Sequence, residues 1–164
     1  PRLVRAFASL PEPWQLVIVG EGPEREAIKA QALESGVAHR VHLPGFVPDP
    51  SKAVGLFDIF ALSSDSEQFP ISVVEAMAAG LPIVSPAVGD VAQMVAPANR
   101  DLICKPGDDA ALACVLQQVA SDVALRQRIG DENRKHAQAN YDEKAMVRSY
   151  SQVYAQAMGA PSFP

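Results

Sequence analysis

No apolar run in the 164 residues approaches the roughly 20 that a membrane-spanning helix requires. There is no block of Lys or Arg, and the formal net charge is −5, which argues against nucleic acid or an anionic membrane surface as a partner. Cysteine is scarce. Cys104 and Cys114 show neither C-x-x-C nor metal-site spacing, and read as reduced packing residues of a cytoplasmic protein. The three histidines, His39, His42 and His136, are scattered and belong to no partnered motif, so they read as surface or structural side chains rather than metal ligands. There is no internal repeat and no low-complexity segment. No secretory signal is visible, but the chain opens at Pro1 without Met, and it reads as a piece excised from a longer protein.

What remains is an ordinary globular composition, 48% apolar and 20% charged, enough for one domain with its own core. Short apolar runs alternate with helical patterns along the chain. Strands are predicted at 14–22, 40–45, 58–64, 81–86 and 101–107. Helices are predicted at 2–10, 23–35, 51–57, 70–80, 90–96, 108–120, 122–138 and 142–158. Alternation of this kind builds parallel βαβ units and a doubly wound α/β sheet. The strand runs are apolar throughout, which predicts burial on both faces. The final "GAPSFP" reads as a frayed tail.

Ligands of such a sheet bind beyond the carboxyl ends of its strands. Three strand–helix loops there carry the chemistry. "GEGPER" (20–25), with Gly20 and Gly22, has the position of a phosphate loop but lacks the third glycine of G-x-G-x-x-G. "PGFVPD" (44–49) contains Val47. The third, in "SSDSEQFPISVVEAMAAGLPIVSP" (63–86), is the most informative. Pro70 is placed to open a helix, where its missing N–H costs nothing. Free amides of the first turn, with the helix dipole, suit an anion. Glu67 lies before that start and Glu75 inside the helix, and carboxylates suit the hydroxyls of sugars. Ser72 and Glu75 share one face, while Ile71, Val74 and Ala78 are expected to form the stripe facing the core. Acid, amides, acid is an order that matches hexose, diphosphate and ribose of a nucleotide-sugar.

Ser64, Glu67, Phe69, Pro70, Glu75, Ala76, Met77, Ala78, Gly80 and Pro82 together resemble the E-x7-E motif of retaining GT-B glycosyltransferases of the family 4 type. "LVIVGEGPERE", "RVHLPGFV", "DLICKPGDDAALA" and "YDEKAMVRSYSQVY" resemble further segments of that family in the same order, so the likeness covers nearly the whole chain. It implies a Rossmann-like three-layer domain with a parallel sheet, the C-terminal, donor-binding half of a GT-B fold spanning 1–164. It also implies that Glu67 holds donor-sugar hydroxyls at the reacting centre and Glu75 the ribose. Main-chain amides around Gln68, Phe69, Pro70 and Ile71 would hold diphosphate or sugar oxygens. Gly20, Gly22 and Val47 would lie near the nucleotide. The donor is then a nucleotide-diphosphate sugar used as substrate. No cofactor and no bound metal are implied, and the acceptor is a glycan, lipid or small molecule held by an N-terminal domain. The full-length protein is expected in the cytoplasm, with peripheral attachment to the inner face of a membrane left open.

Some positions depart from the family pattern. Gln68 stands where glycine is usual, and Gln93 where Glu is frequent. The family's first strand of this domain, with the Arg and Lys that neutralise the diphosphate, is not in the sequence, and no cation is expected near the motif. The terminal helix, 142–158, is expected to cross toward the N-terminal domain. Its stripe of Met146, Tyr150, Val153 and Ala157 should therefore be exposed or covered by a second copy. A nucleotide-sugar epimerase and a non-catalytic nucleotide-sugar-binding domain of the same architecture remain the alternatives.

Overall fold

The computed structural model describes residues 1–160; of the expected frayed tail, Gly159 and Ala160 are instead hydrogen-bonded to the end of the last helix, and 161–164 lie outside the described residues. Every predicted element is present, most with trimmed ends. The strands are β1 (Leu16–Val19), β2 (Val41–Gly45), β3 (Phe60–Ala61), β4 (Ile83–Pro86) and β5 (Ile103–Cys104). The helices are α1 (Arg2–Phe7), α2 (Arg25–Glu34), α3 (Ser51–Val54), α4 (Ile71–Ala78), α5 (Val91–Met94), α6 (Asp109–Ser121), α7 (Val123–Asn140) and α8 (Glu143–Met158). Two 3₁₀ turns, Ala38–Arg40 and Pro97–Leu102, were not foreseen. Neither carries enough apolar periodicity to register in a sequence. Aspartates start the last three helices: the carboxylates of Asp108, Asp122 and Asp142 accept from the amides of Ala111, Leu125 and Ala145.

All strand pairs are parallel, but the hydrogen-bonded ladder is divided. β1 pairs with β2, and β3–β4–β5 form a second group with β4 in the middle. One apolar core underlies both groups: Leu16 of β1, Val41 of β2, Ala61 of β3, Val84 of β4 and Cys104 of β5 pack on the same cluster, beneath Val4 and Phe7 of α1. Burial on both faces is realised in β4, where Ile83, Val84, Ser85 and Pro86 are all buried. It is not realised in β1 and β2, whose Val17 and His42 face solvent. A strand paired on one side only has a helix layer too small to cover both of its faces.

The second core cluster joins α4, α5 and α7 around Val73, Met77, Ile83, Met94 and Ala137. The core stripe of α4 is therefore Val73, Ala76 and Met77. It is not the predicted Ile71, Val74 and Ala78; Ile71 is 68% exposed. Both sets fit a 3.6 period, and only the approach of β4 and α7 decides which faces inward. Helix α7 is clamped to the start of β4 by a fully buried polar network. Asn133 Nδ2 donates to the Leu81 carbonyl (2.8 Å) and to Asn99 Oδ1 (2.7 Å), while its Oδ1 accepts from the Ala96 amide (3.2 Å). Asn99 in turn takes the amide and supplies the carbonyl of Ile83. Beside this network Gly130 lies so close to the Gly80 carbonyl that no side chain fits between α7 and the end of α4. These contacts hold α4, and hence the loop before it, against the rigid part of the molecule.

The cysteines separate. Cys104 is buried, and burial pushes its thiol above the usual value. Cys114 is exposed and is not a packing residue, because its position on α6 faces away from β4.

Candidate functional site

The loops after the strands converge on the carboxyl edge of the sheet. Following β3, residues 62–70 lead into α4. Pro70 is the N-cap, in extended backbone (φ −70°, ψ 107°), one position earlier than predicted, and no side chain caps the helix. The Val73 amide donates to the Pro70 carbonyl (3.0 Å), which leaves the amides of the exposed Ile71 and Ser72 at the positive end of the helix. Glu67 and Glu75 are each half-buried. Among the described residues neither carboxylate takes a hydrogen bond or ion pair, so both can accept from a ligand's hydroxyls. Gln68, Ile71 and Ser72 are exposed. Phe69, 46% exposed, and Ile71 present apolar surface beside these acids, which a solvated helix start does not require.

The loop's backbone is held from the side by the turn after β4. Asp90 N–H donates to the Gln68 carbonyl (2.9 Å). Gly89, at φ +52°, sits against the carbonyls of Glu67 and Gln68, where a Cβ would collide with the backbone. Phe69 packs edge-on to Tyr141, with ring centroids 5.8 Å apart and planes at 67°. Tyr141 O–H donates to the Met94 carbonyl (3.1 Å), and burial, then the nearby Asp90 charge, raises its pKa. Gly89 and Tyr141 were both missed. A Gly-Asp turn signal was available for the first; nothing in the sequence links Tyr141 to Phe69 across 72 positions.

A cation does reach the motif, contrary to expectation. Arg2, at the start of α1, contacts Asp65 (2.6 Å) and Asp109 (2.6 Å), and Arg5 contacts Asp109 (2.8 Å). Arg2 is held protonated first by the Asp65 hydrogen bond. Its charge is already shared between two carboxylates. No local pattern announces this pair, because Asp65 lies 63 positions away.

Gly20, Gly22 and Val47 lie on the neighbouring loops of β1 and β2. Gly20 N–H donates to the Gly45 carbonyl (2.9 Å), and Arg25 donates to the Leu43 carbonyl (2.8 Å). A cavity of about 190 Å³ opens here, lined by Gly20, Glu21, Gly22, Arg25, Ile28 and Leu43; Val47 does not line it. The loop from β2 continues into α3, which packs on α4, so the two loop groups share one edge. A larger cavity, about 480 Å³ beside Trp14, Cys114 and Gln117, involves none of the predicted site residues. Two histidines stand apart from this edge, His39 meeting Glu12 and His42 meeting Gln15, while His136 packs edge-on to Tyr141, with ring centroids 6.0 Å apart.

Parallel strands, helices on either side, and ligand-accessible loops at the carboxyl edge define a Rossmann-like α/β domain of the kind that forms the C-terminal half of a GT-B glycosyltransferase. The chain belongs to the glycosyl transferases group 1 family, whose model matches residues 1–136. It is 27% identical over 153 residues to the lipopolysaccharide core biosynthesis glycosyltransferase LpsE of Rhizobium meliloti, covering 93% of this chain and 45% of that protein. Among solved structures, sucrose-phosphate synthase from Thermosynechococcus elongatus superposes with a TM-score of 0.88 at 29% identity, covering 96% of this chain and 42% of that one. Anabaena HepE in complex with UDP-glucose superposes with a TM-score of 0.86 at 22% identity, covering 94% and 44%. The chain spans less than half the length of each. No helix among the described residues is long and apolar enough to cross a membrane.

Proposed function

We propose that residues 1–164 are the donor-binding half of a retaining glycosyltransferase of the family 4 type that uses a nucleotide-diphosphate sugar. The observation that carries this reading is the pair of unengaged acids, Glu67 and Glu75, on either side of an uncapped helix start at the carboxyl edge of the sheet. Glu67 accepts from hydroxyls of the transferred hexose and Glu75 from the ribose. The amides of Gln68, Phe69 and Ile71 face the diphosphate, and the loops of Gly20, Gly22 and Val47 face the nucleoside. HepE, of the same fold, is seen with UDP-glucose, which supports this class of donor.

Transfer with retention then proceeds at one face of the sugar. The anomeric carbon's bond to the diphosphate oxygen breaks while the acceptor hydroxyl oxygen bonds from the same side. The departing diphosphate takes the acceptor's proton. No protein nucleophile and no metal are required of this domain. A diphosphate facing two glutamates does need cations. Arg2 is engaged by Asp65 and Asp109, so the neutralising groups come from elsewhere in the protein. The division of the sheet supports a further parallel strand between β1 and β3, contributed by sequence ahead of α1: a right-handed crossover through α1 would lead from it to β1. A glycan, lipid or small-molecule acceptor is held by an N-terminal domain.

Calorimetric titration of the full-length protein with UDP, GDP and ADP, followed by donor-hydrolysis and transfer assays with the matching sugars with and without EDTA, tests the reading. Saturable binding of one nucleotide and EDTA-resistant release of its sugar with retained configuration are expected. Binding without turnover would reduce the protein to a nucleotide-sugar-binding module, and inverted product would overturn the mechanism.

A further inference from the structure

We propose that Tyr141, outside the donor loop, is a positioning residue for the reacting sugar, acting through Phe69. The inference rests on the donor-site reading above and extends it to the joint between α7 and α8. Tyr141 is the C-terminal cap of α7, and its own amide donates to the Ala137 carbonyl (2.9 Å). Its hydroxyl is tied to Met94 of α5, and its ring packs with the α4–α5–α7 core. It is therefore fixed to the rigid frame. Phe69 is not: it sits on a loop, half its surface is in solvent, and among the described residues its ring meets that of Tyr141 alone. Gly89 and Asp90 pin the loop's backbone only as far as the Gln68 carbonyl. From there to Pro70, the side-on contact with Tyr141 decides where the chain enters α4, and so how Glu67 and the first-turn amides face each other.

Such a residue touches neither sugar nor phosphate. Losing it should leave the nucleotide's ground-state contacts intact and blur the alignment on which the transition state depends. An edge-to-face aromatic pair corresponds to about three- to tenfold in an equilibrium or a rate. The test uses the full-length protein with UDP and UDP-glucose, the ligands seen on the HepE fold, or with the nucleotide and sugar identified in the titration above. For Tyr141→Leu, kcat is expected to fall about three- to tenfold while the affinity for free nucleotide stays within about twofold. Tyr141→Phe keeps the ring contact and loses only the tie to Met94, so its kcat should fall less than that of Tyr141→Leu. Phe69→Leu combined with Tyr141→Leu should be no slower than Phe69→Leu alone, because the two side chains form one device.

The outcomes separate cleanly. Wild-type protein that binds nucleotide and turns over, with Tyr141→Leu indistinguishable from it, overturns the inference and leaves the donor site standing. Additive losses in the double variant, or equal loss of nucleotide affinity, also overturn it. Wild-type protein that binds no nucleotide overturns the donor-site reading and removes this role with it. Should Tyr141→Leu melt before assay, Tyr141→Phe beside Tyr141→Trp carries the test. The ring contact is kept in the first and displaced in the second, so equal kcat in both would refute the proposal.

Discussion

If Glu67 holds the hexose and Glu75 the ribose, as proposed, the two acids are expected to fail in different ways. On that assignment Glu75→Ala removes hydrogen bonds to the ribose that exist in ground and transition states alike. Hydrogen bonds to a charged group contribute roughly 1.5–3 kcal/mol, so donor KM and nucleotide Kd should rise about ten- to a hundredfold. Glu67→Ala removes contacts to the hexose being transferred; kcat should fall while nucleotide diphosphate affinity holds, as calorimetry beside steady-state kinetics would show. Equal weakening of free nucleotide by both variants would refute one acid per sugar. The position of these acids at the helix start was legible, because two carboxylates flanking an apolar helix start have no packing purpose. Arg2 was not, because an ion pair between α1 and the loop of β3 exists only once the strands are side by side. That cluster carries a pH signature. The Arg5 hydrogen bond, followed by the Arg2 charge, holds the Asp109 carboxyl below its ordinary value. The folded form therefore keeps Asp109 ionised where the unfolded chain protonates it. Its contribution is complete above the ordinary carboxylate range and is lost as pH falls through the lowered value. The melting-temperature difference between wild type and Asp109→Asn should be present at pH 7 and shrink as the pH is taken down through and below the ordinary carboxylate range.

The order of elements could be read from alternating apolar runs and helix signals, since each element announces itself locally through Gly, Pro and Asp. Which face of α4 turns inward could not, because Ile71–Val74–Ala78 and Val73–Ala76–Met77 satisfy the same period and only the contact with β4 and α7 chooses. The α4–α7 contact is therefore the place to test the packing. Gly130→Ala gains roughly 1 kcal/mol in helix propensity. The added methyl, however, collides with the Gly80 carbonyl. Overpacking costs about 1–3 kcal/mol; because the obstacle is backbone, the collision should win and denaturant midpoints should fall. Asn133→Ala leaves the Leu81 carbonyl and the Ala96 amide without their side-chain partner in a region closed to solvent, while Asn99 Oδ1 keeps the Ile83 amide. At about 1–3 kcal/mol for each buried group left unsatisfied, a loss of about 2–6 kcal/mol is expected. A loss under about 1 kcal/mol in equilibrium unfolding would mean that water enters and replaces the amide.

At the scale of the molecule, the described surfaces are those of half a cleft. The donor edge is open, and α8 carries an apolar stripe with nothing on it. Met146, Tyr150 and Val153 are 52%, 60% and 60% exposed, and Ala155 is the one buried residue of the helix. Asp142 caps its start and Gly159 closes its end, so the helix is well bounded without being well packed. A 16-residue helix held by so little is marginal in water, because most helical stability comes from burying an apolar face. That face therefore has to be covered, by the proposed N-terminal domain in the whole enzyme or by a second copy when residues 1–164 are alone. The isolated polypeptide is accordingly expected to transfer no sugar, lacking the opposite wall that excludes water and holds the acceptor. It is also expected to associate as its concentration rises from micromolar toward millimolar in sedimentation velocity. Tyr150→Glu with Val153→Glu should abolish that association while leaving the melting of the rest of the domain unchanged, since neither side chain enters either core cluster. In the whole enzyme the same pair should lower activity by loosening the arrangement of the two domains. An isolated chain that stays monomeric at every concentration, with the α8 amides protected in hydrogen exchange, would show that the helix covers itself on its own domain and would refute the two-domain reading of this face.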